Sequence, residues 1–309
     1  MMLIPLILLL AGFAVLLKAS DYTVRHSIAL SRQSGISEII IGFVLVAIGT
    51  SVPEMSIAVI SSLHGNNSLS FGNLIGANVA LLTMVFGAMA LAGFRIQKAR
   101  LMEINQAVIF AAIIAVFLIY LMKVDMAFGI FSIILFYAFL KNIYGEEKAI
   151  ESKKPARNRK RTLRTLLCLL ASIALVVIGA ELITKSASDI ASLFGLGSTA
   201  IGATLLAIGT TIPEFSVNVM ALRKKDINLA IGDSIGSIVT NITLILGIAA
   251  IINPITIDAS GRLALVAMLA ASGIFLYFAT HLRLRKEQGV ILIACYAVFL
   301  YLMLSGAAA

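Results

Sequence analysis

The sequence predicts an all-α polytopic membrane protein, with ten transmembrane helices in two inverted five-helix repeats. Three observations predict it. Sixty per cent of the 309 residues are hydrophobic and only 13% are charged, and apolar runs of about 20 residues recur along the chain, far outside soluble composition. Residues Ile41 to Glu54 read IGFVLVAIGTSVPE, and Ile201 to Glu214 read IGATLLAIGTTIPE, so one motif occurs twice at a spacing of 160 with nine of fourteen positions identical. Lysine and arginine, finally, are sorted between alternate connections rather than spread along the chain.

The spans are expected at roughly 3–31, 37–63, 69–93, 100–122, 125–142, 165–190, 197–221, 227–252, 261–282 and 289–305. Residues 3–17 followed by Lys-Ala-Ser resemble a signal peptide. No basic segment precedes them, however, and Ala19-Ser20-Asp21 lies 160 residues before Gly179-Ala180-Glu181, inside the repeat. The first span is therefore read as retained. One set of connections carries 21 Lys and Arg, nine of them between Lys141 and Arg164, and the other set carries only Lys123, Lys185 and Arg262. The positive-inside rule then places residues 143–164 in the cytoplasm and both termini extracellular, in a plasma membrane. The net charge of +9 is thus a topology signal and makes no case for nucleic acid. The lipid bilayer is the partner it implies.

The second half of each repeat is also recognisable. Phe71 to Gly87 reads FGNLIGANVALLTMVFG and Ile231 to Gly247 reads IGDSIGSIVTNITLILG, again offset by 160. Five spans per copy is an odd number, so the second copy enters the membrane upside down. Residues 1–142 are the first repeat, 143–164 a basic connection, and 165–309 the second repeat.

Chemistry concentrates at the duplicated motif. Glu54 and Glu214 fall near the middle of their spans with no Lys or Arg at comparable depth, and carboxylates so placed need cations or protons. Pro53 and Pro213 each remove an amide donor and crowd the turn before, freeing carbonyls near Ala47–Thr50 and Ala207–Thr210. Gly49 and Gly209 permit close backbone approach, and Ser51 and Thr211 add hydroxyl oxygens. An all-oxygen set suits Ca²⁺ or Na⁺ and excludes soft metals. Cys168, Cys295 and three histidines near span ends (His26, His64, His281) support neither a disulfide framework nor a zinc site. Nor do they supply the nucleophile–base pair an enzyme would need.

With GTSVPE and GTTIPE each followed by a G-x-x-x-G span, the chain resembles the Ca²⁺/cation antiporter superfamily over its whole length, nearest the prokaryotic sodium/calcium exchangers. The resemblance implies Ca²⁺/Na⁺ exchange by alternating access, with spans 1 and 6 sliding against the other eight and no resident cofactor. It implies ion ligation by Glu54, Glu214, Thr50, Thr210, Ser51, Thr211, the carbonyls of Ala47 and Ala207, and in the second copy Ser237 and Asn241. The first copy departs from the pattern, with Ala77 and Leu81 where Ser and Asn or Asp are usual. With Asn at 241, the motif carboxylates count −2, so a third Na⁺ would over-charge the site. An altered stoichiometry, or H⁺ as coupling ion, is the expectation that follows. Another cation exchanger of the same fold and a cation channel are the competing readings. Asp21, Glu181 and Asp233 either line ion paths or are ordinary polar positions.

Overall fold

The computed structural model describes residues 3–94, 100–150, 159–191, 202–282 and 284–306, and these are almost wholly helical. Helix α1 runs Leu3–Ser34, and α2 runs Glu38–Thr50. Ser37 caps α2 with its hydroxyl on the Ile40 amide, satisfying a first-turn donor that the helix itself cannot. Then come α3 (Val52–Leu63), α4 (Asn67–Leu91), α5 (Leu101–Leu121), α6 (Met126–Ile150) and α7 (Arg159–Ala191). The second half continues with α8 (Ala207–Arg223), α9 (Ile227–Ile252), α10 (Ala259–Tyr277) and α11 (Lys286–Gly306). Two short strands, Lys123–Val124 and Ile255–Thr256, pair antiparallel, an element the sequence did not signal.

Among the described residues seven helices are long and apolar enough to cross a membrane, and eight if the α2–α3 pair, bent by 44°, counts as one span. The other two expected spans correspond to α1, a 32-residue helix, and to α8. The start of the α8 span, and residues 151–158 of the basic connection, lie outside the described residues. Helices α4 and α9 are 83% and 78% buried over their apolar windows, against 28–44% for α5, α6, α7, α10 and α11. The first pair is therefore enclosed by protein, and the second group presents apolar side chains outward, as lipid contact requires.

The duplication is visible in the helices themselves. Helix α4 is α-helical over Asn67–Ala80 and widens to a π turn at Leu81–Val85; α9 is α-helical over Ile227–Thr240 and widens at Asn241–Ile245. Every one of those boundaries is offset by 160. A π turn admits one extra residue and leaves backbone groups imperfectly paired, which is why such turns gather at functional positions. The duplicated motifs begin in π turns as well, at Gly42–Ala47 and Gly202–Leu206.

The chain forms two compact units, and neither follows the repeat boundary. The first draws on Met1–Val52, Tyr137–Leu193 and Ile212–Ser237; the second draws on Pro53–Phe136, Phe194–Thr211 and Ile238–Ala309. Within the first unit α1 and α7 pack antiparallel. Gln33 Oε1 accepts from the Thr165 hydroxyl at 3.0 Å and Thr23 Oγ1 donates to Ser172 at 3.1 Å. Gly179 faces the backbone of Gly12 and Leu16. Asp21, midway along α1, is ion-paired to Arg25 (2.8 Å) and to Lys224 (2.6 Å), the residue just beyond α8. The acid that interrupts the first span is thereby neutralised. The side chain of its counterpart, Glu181, is outside the described set.

Glycines hold the closest crossings. In the first unit a Cβ on Gly232 would collide with the Ile39 carbonyl, and one on Gly236 would lie 2.6 Å from the Ala47 Cβ and 2.9 Å from the Phe43 Cα. In the second unit a Cβ on Gly76 would collide with the Ala203 carbonyl, and Gly87 and Gly129 face Gly289 and Gly247 in the same manner. Phe43 and Ala203 are themselves 160 apart, as are Gly76 and Gly236, so the contacts interchange under the repeat. Lipid offers no hydrophobic drive for helices to associate, and close backbone packing of this kind supplies the attraction instead. Replacing Gly232 by Ala should lower stability by about 1–3 kcal/mol through overpacking. Gly273→Ala, on a helix with nothing within 4 Å of the new carbon, should leave it unchanged or slightly raised. Thermal unfolding of the two variants in detergent measures the contrast.

Candidate cation-binding site

The two motifs end differently. In the first copy Ser51 leaves helical geometry (φ −80°, ψ 11°) and the chain restarts as α3 with Pro53 in its first turn, where a missing amide is harmless. In the second copy α8 continues through Pro213. Both glutamates follow their proline, and both are buried at 1% exposure.

In the first unit, Glu214 collects hydroxyls. Ser51 Oγ donates to its Oε1 at 3.3 Å, and Ser237 Oγ lies 3.5 Å from the same oxygen and 3.5 Å from Ser51. Thr50 Oγ1 is within reach of Asp233 Oδ1 (3.4 Å) and of the carbonyls of Val46 (3.0 Å) and Ala47 (3.2 Å). With one proton, that hydroxyl can satisfy only one of the three at a time. Asn218, one turn after Glu214, stands beside Asp233 without reaching hydrogen-bond geometry. Glu214 Oε2 and Asp233 Oδ2 are buried and receive no hydrogen bond from the protein. Here the structure gathers five of the expected residues: Ala47, Thr50, Ser51, Glu214 and Ser237.

The other five, Glu54, Ala207, Thr210, Thr211 and Asn241, lie in the second unit. Thr210 Oγ1 donates to Asn73 Oδ1 at 3.3 Å, the counterpart 160 positions away of the Thr50–Asp233 contact. Thr211 Oγ1 donates to the Ala207 carbonyl at 2.6 Å. Asn241 Nδ2 donates to Asn78 Oδ1 at 3.2 Å, and Asn78 Nδ2 to the Ile238 carbonyl at 3.1 Å. Asn241 Oδ1 accepts nothing. Ala77 and Leu81, at the places where hydroxyl and amide are expected, are buried carbon. Asn78, about 100° round the helix from position 77, spends its amide on the Ile238 carbonyl and on orienting Asn241.

Sequence reasoning missed Asn218. The signal was available: it lies four residues after Glu214, hence on the same helix face, where the first copy has Ala58. Asp233 was noticed but left without a role. Among the described residues no three of His, Cys, Asp and Glu cluster, so a cation held by these groups would rely on hydroxyl, amide and carbonyl oxygens beside its carboxylates. That is hard-cation chemistry.

Apolar helices that bury carboxylates among hydroxyls, in two related copies, have the make-up of a secondary transporter. The chain belongs to the sodium/calcium exchanger protein family, whose model matches residues 4–144 and 164–305. It is 28% identical to the sodium/calcium exchanger MaX1 of Methanosarcina acetivorans, over 98% of this chain and 99% of that protein. It is 29% identical to the putative antiporter CaxA of Alkalimonas amylolytica, over 98% of this chain and the whole of that one. Its structure matches that of the sodium-calcium exchanger NCX_Mj with a TM-score of 0.83 at 25% identity, covering 96% of this chain and 98% of the other. Two of these relatives are sodium/calcium exchangers and the third a putative antiporter.

Removing the Asn78 amide strands two buried partners, Asn241 and the Ile238 carbonyl. Asn78→Ala should therefore cost about 1–3 kcal/mol, read as a lowered midpoint of thermal unfolding in detergent.

Proposed function

We propose that the protein is a secondary active antiporter that exchanges Ca²⁺ for Na⁺ across the plasma membrane. In this reading Glu54 and Glu214 are the carboxylate pair that takes the ions in turn, aided by Thr50, Ser51, Thr210, Thr211, Ser237, Asn241 and the carbonyls of Ala47 and Ala207. The observation that carries it is the burial of both motif glutamates at 1% exposure in a chain of the exchanger family. A carboxylate removed from water to that extent is costly unless a cation or proton joins it. Exchange follows when either ion, but never neither, makes the site electrically acceptable in the bilayer.

In this reading the chain crosses the membrane ten times in two inverted repeats, residues 1–142 and 165–309, joined by the basic connection 143–164 on the cytoplasmic side with both termini outside. Alternating access then arises because a pseudo-two-fold in the membrane plane makes the inward-open and outward-open states near mirror events. The antiparallel α1–α7 pair, tied through Asp21 to Lys224, is the element proposed to move.

Buried carbon at Ala77 and Leu81 favours a second reading, in which H⁺ replaces part of the Na⁺ load. Uptake of ⁴⁵Ca²⁺ into proteoliposomes separates the two. A Na⁺ gradient should drive uptake with the wild-type protein, and Glu54→Gln or Glu214→Gln should each reduce it by about tenfold or more, the loss of at least 1.4 kcal/mol of ion binding. Uptake driven by an H⁺ gradient alone would assign the second reading. Absence of Ca²⁺ flux under both gradients would overturn the Ca²⁺ assignment.

A further inference from the structure

Asp233 carries more charge than its structural task requires. In the first copy the equivalent position is Asn73, whose Oδ1 accepts from Thr210 at 3.3 Å, just as Asp233 Oδ1 accepts from Thr50 at 3.4 Å. A neutral amide therefore does the same packing and hydrogen-bonding work. The extra feature of Asp233 is a second carboxylate oxygen, wholly buried, with no hydrogen-bond donor. A second polar excess lies beside it. Position 218 is Asn where the first copy has Ala58, and the Asn218 amide, 0% exposed, lies beside Asp233 but completes no hydrogen bond of normal geometry at its oxygen or its nitrogen. Glu214 completes the group: Ser51 donates to its Oε1 at 3.3 Å while the adjacent Thr50 reaches Asp233 Oδ1 at 3.4 Å, so consecutive hydroxyls tie the two acids together, and Glu214 Oε2 is itself unpaired. Glu103, another buried acid on a long helix, is by contrast paired with Arg100 at 3.1 Å.

Three buried oxygens without donors, on Glu214, Asp233 and Asn218, thus face a shared need for positive charge. Leaving two carboxylates so close without a counter-ion would cost several kcal/mol, and no lysine or arginine in the described structure is paired with either. We propose that Asp233 and Asn218 add a second cation subsite to the Glu214 group, one that takes a monovalent ion of the Na⁺ class. Three free oxygens fall short of the roughly six to eight that Ca²⁺ gathers, and a single positive charge demands less of its shell. The subsite also changes the charge count within the first unit: Glu214 and Asp233 together carry −2 when ionised, which two monovalent cations would balance, whereas Glu214 alone balances one.

This inference rests on the exchanger reading for its role in transport, but its binding can be measured without transport. The test counts ²²Na⁺ bound at equilibrium by the purified full-length protein in detergent, for wild type, Asp233→Asn and Asn218→Ala. Asp233→Asn recreates the group that the first copy already accommodates. Wild type should bind one Na⁺ more per chain than Asp233→Asn, and Asn218→Ala should keep the number but weaken the affinity by roughly fivefold, the worth of one hydrogen-bond-strength ligand. In proteoliposomes the Hill slope for Na⁺ in ⁴⁵Ca²⁺ exchange should fall by about one for Asp233→Asn, and Ca²⁺ binding should survive, whereas Glu214→Gln loses both. Equal Na⁺ counts in wild type and Asp233→Asn would overturn the subsite. If Asp233→Asn does not fold, unchanged Na⁺ affinity in Asn218→Ala overturns it instead. A wild-type protein with no Na⁺-driven Ca²⁺ flux would sink the exchanger reading, and the count of bound Na⁺ would still judge Asp233.

Discussion

Backbone contact at glycine is the constraint on which the candidate site depends. Thr50 and Asp233 sit on different helices, and a hydroxyl and a short carboxylate meet only if those helices nearly touch. Gly232 and Gly236 make that possible by lying against Ile39, Phe43 and Ala47. The same holds in the second unit, where Gly76 lies against Ala203 and Thr210 reaches Asn73. A methyl group at any of these points would push the helices apart by an ångström or more, and the polar contacts three to seven residues along would open. The G-x-x-x-G pattern that serves packing thus also sets the spacing of the oxygen atoms.

Much of this was legible in the sequence because duplication turns weak signals into strong ones. A single Gly-Thr-x-x-Pro-Glu could be a kink, but two copies at one spacing pointed to the buried glutamates, and both are buried. The helix boundaries of α4 and α9 and their π turns obey the same 160-residue offset, although nothing in either segment alone announces a π turn. Where the copies differ, reading by repeat was less secure. Ala77 and Leu81 were recognised as departures because the family resemblance sets Ser and Asn or Asp there, as the second copy keeps at Ser237 and Asn241. Asn218 and Asp233 are gains of polarity in the second copy, and Ala58 and Asn73 opposite them look unremarkable. Their meaning required knowing which atoms lacked a donor, and only three-dimensional packing supplies that.

The two prolines show how local chemistry and context divide the outcome. Both remove an amide and crowd the preceding turn, yet α8 runs through Pro213 while the first copy breaks at Ser51 and bends by 44°. The Ala47 carbonyl nonetheless still accepts the Ser51 amide at 3.0 Å, so Pro53 does not free it, and threonine hydroxyls make an additional contact to the Ala47 and Ala207 carbonyls in the two copies.

The interchange of contacts between copies has a consequence for how the chain is made. Gly42 lies against Leu229, Gly76 against Ala203, Gly87 against Gly289 and Gly129 against Gly247, so these close glycine crossings of the first 142 residues, among the described residues, all find their partners in the second half. Until the second half of the chain has been made, those faces have no protein partner to close on, and they must stay in a loose, unlocked arrangement. Final packing is then a late and concerted event, in which each copy acts as the template on which the other is finished.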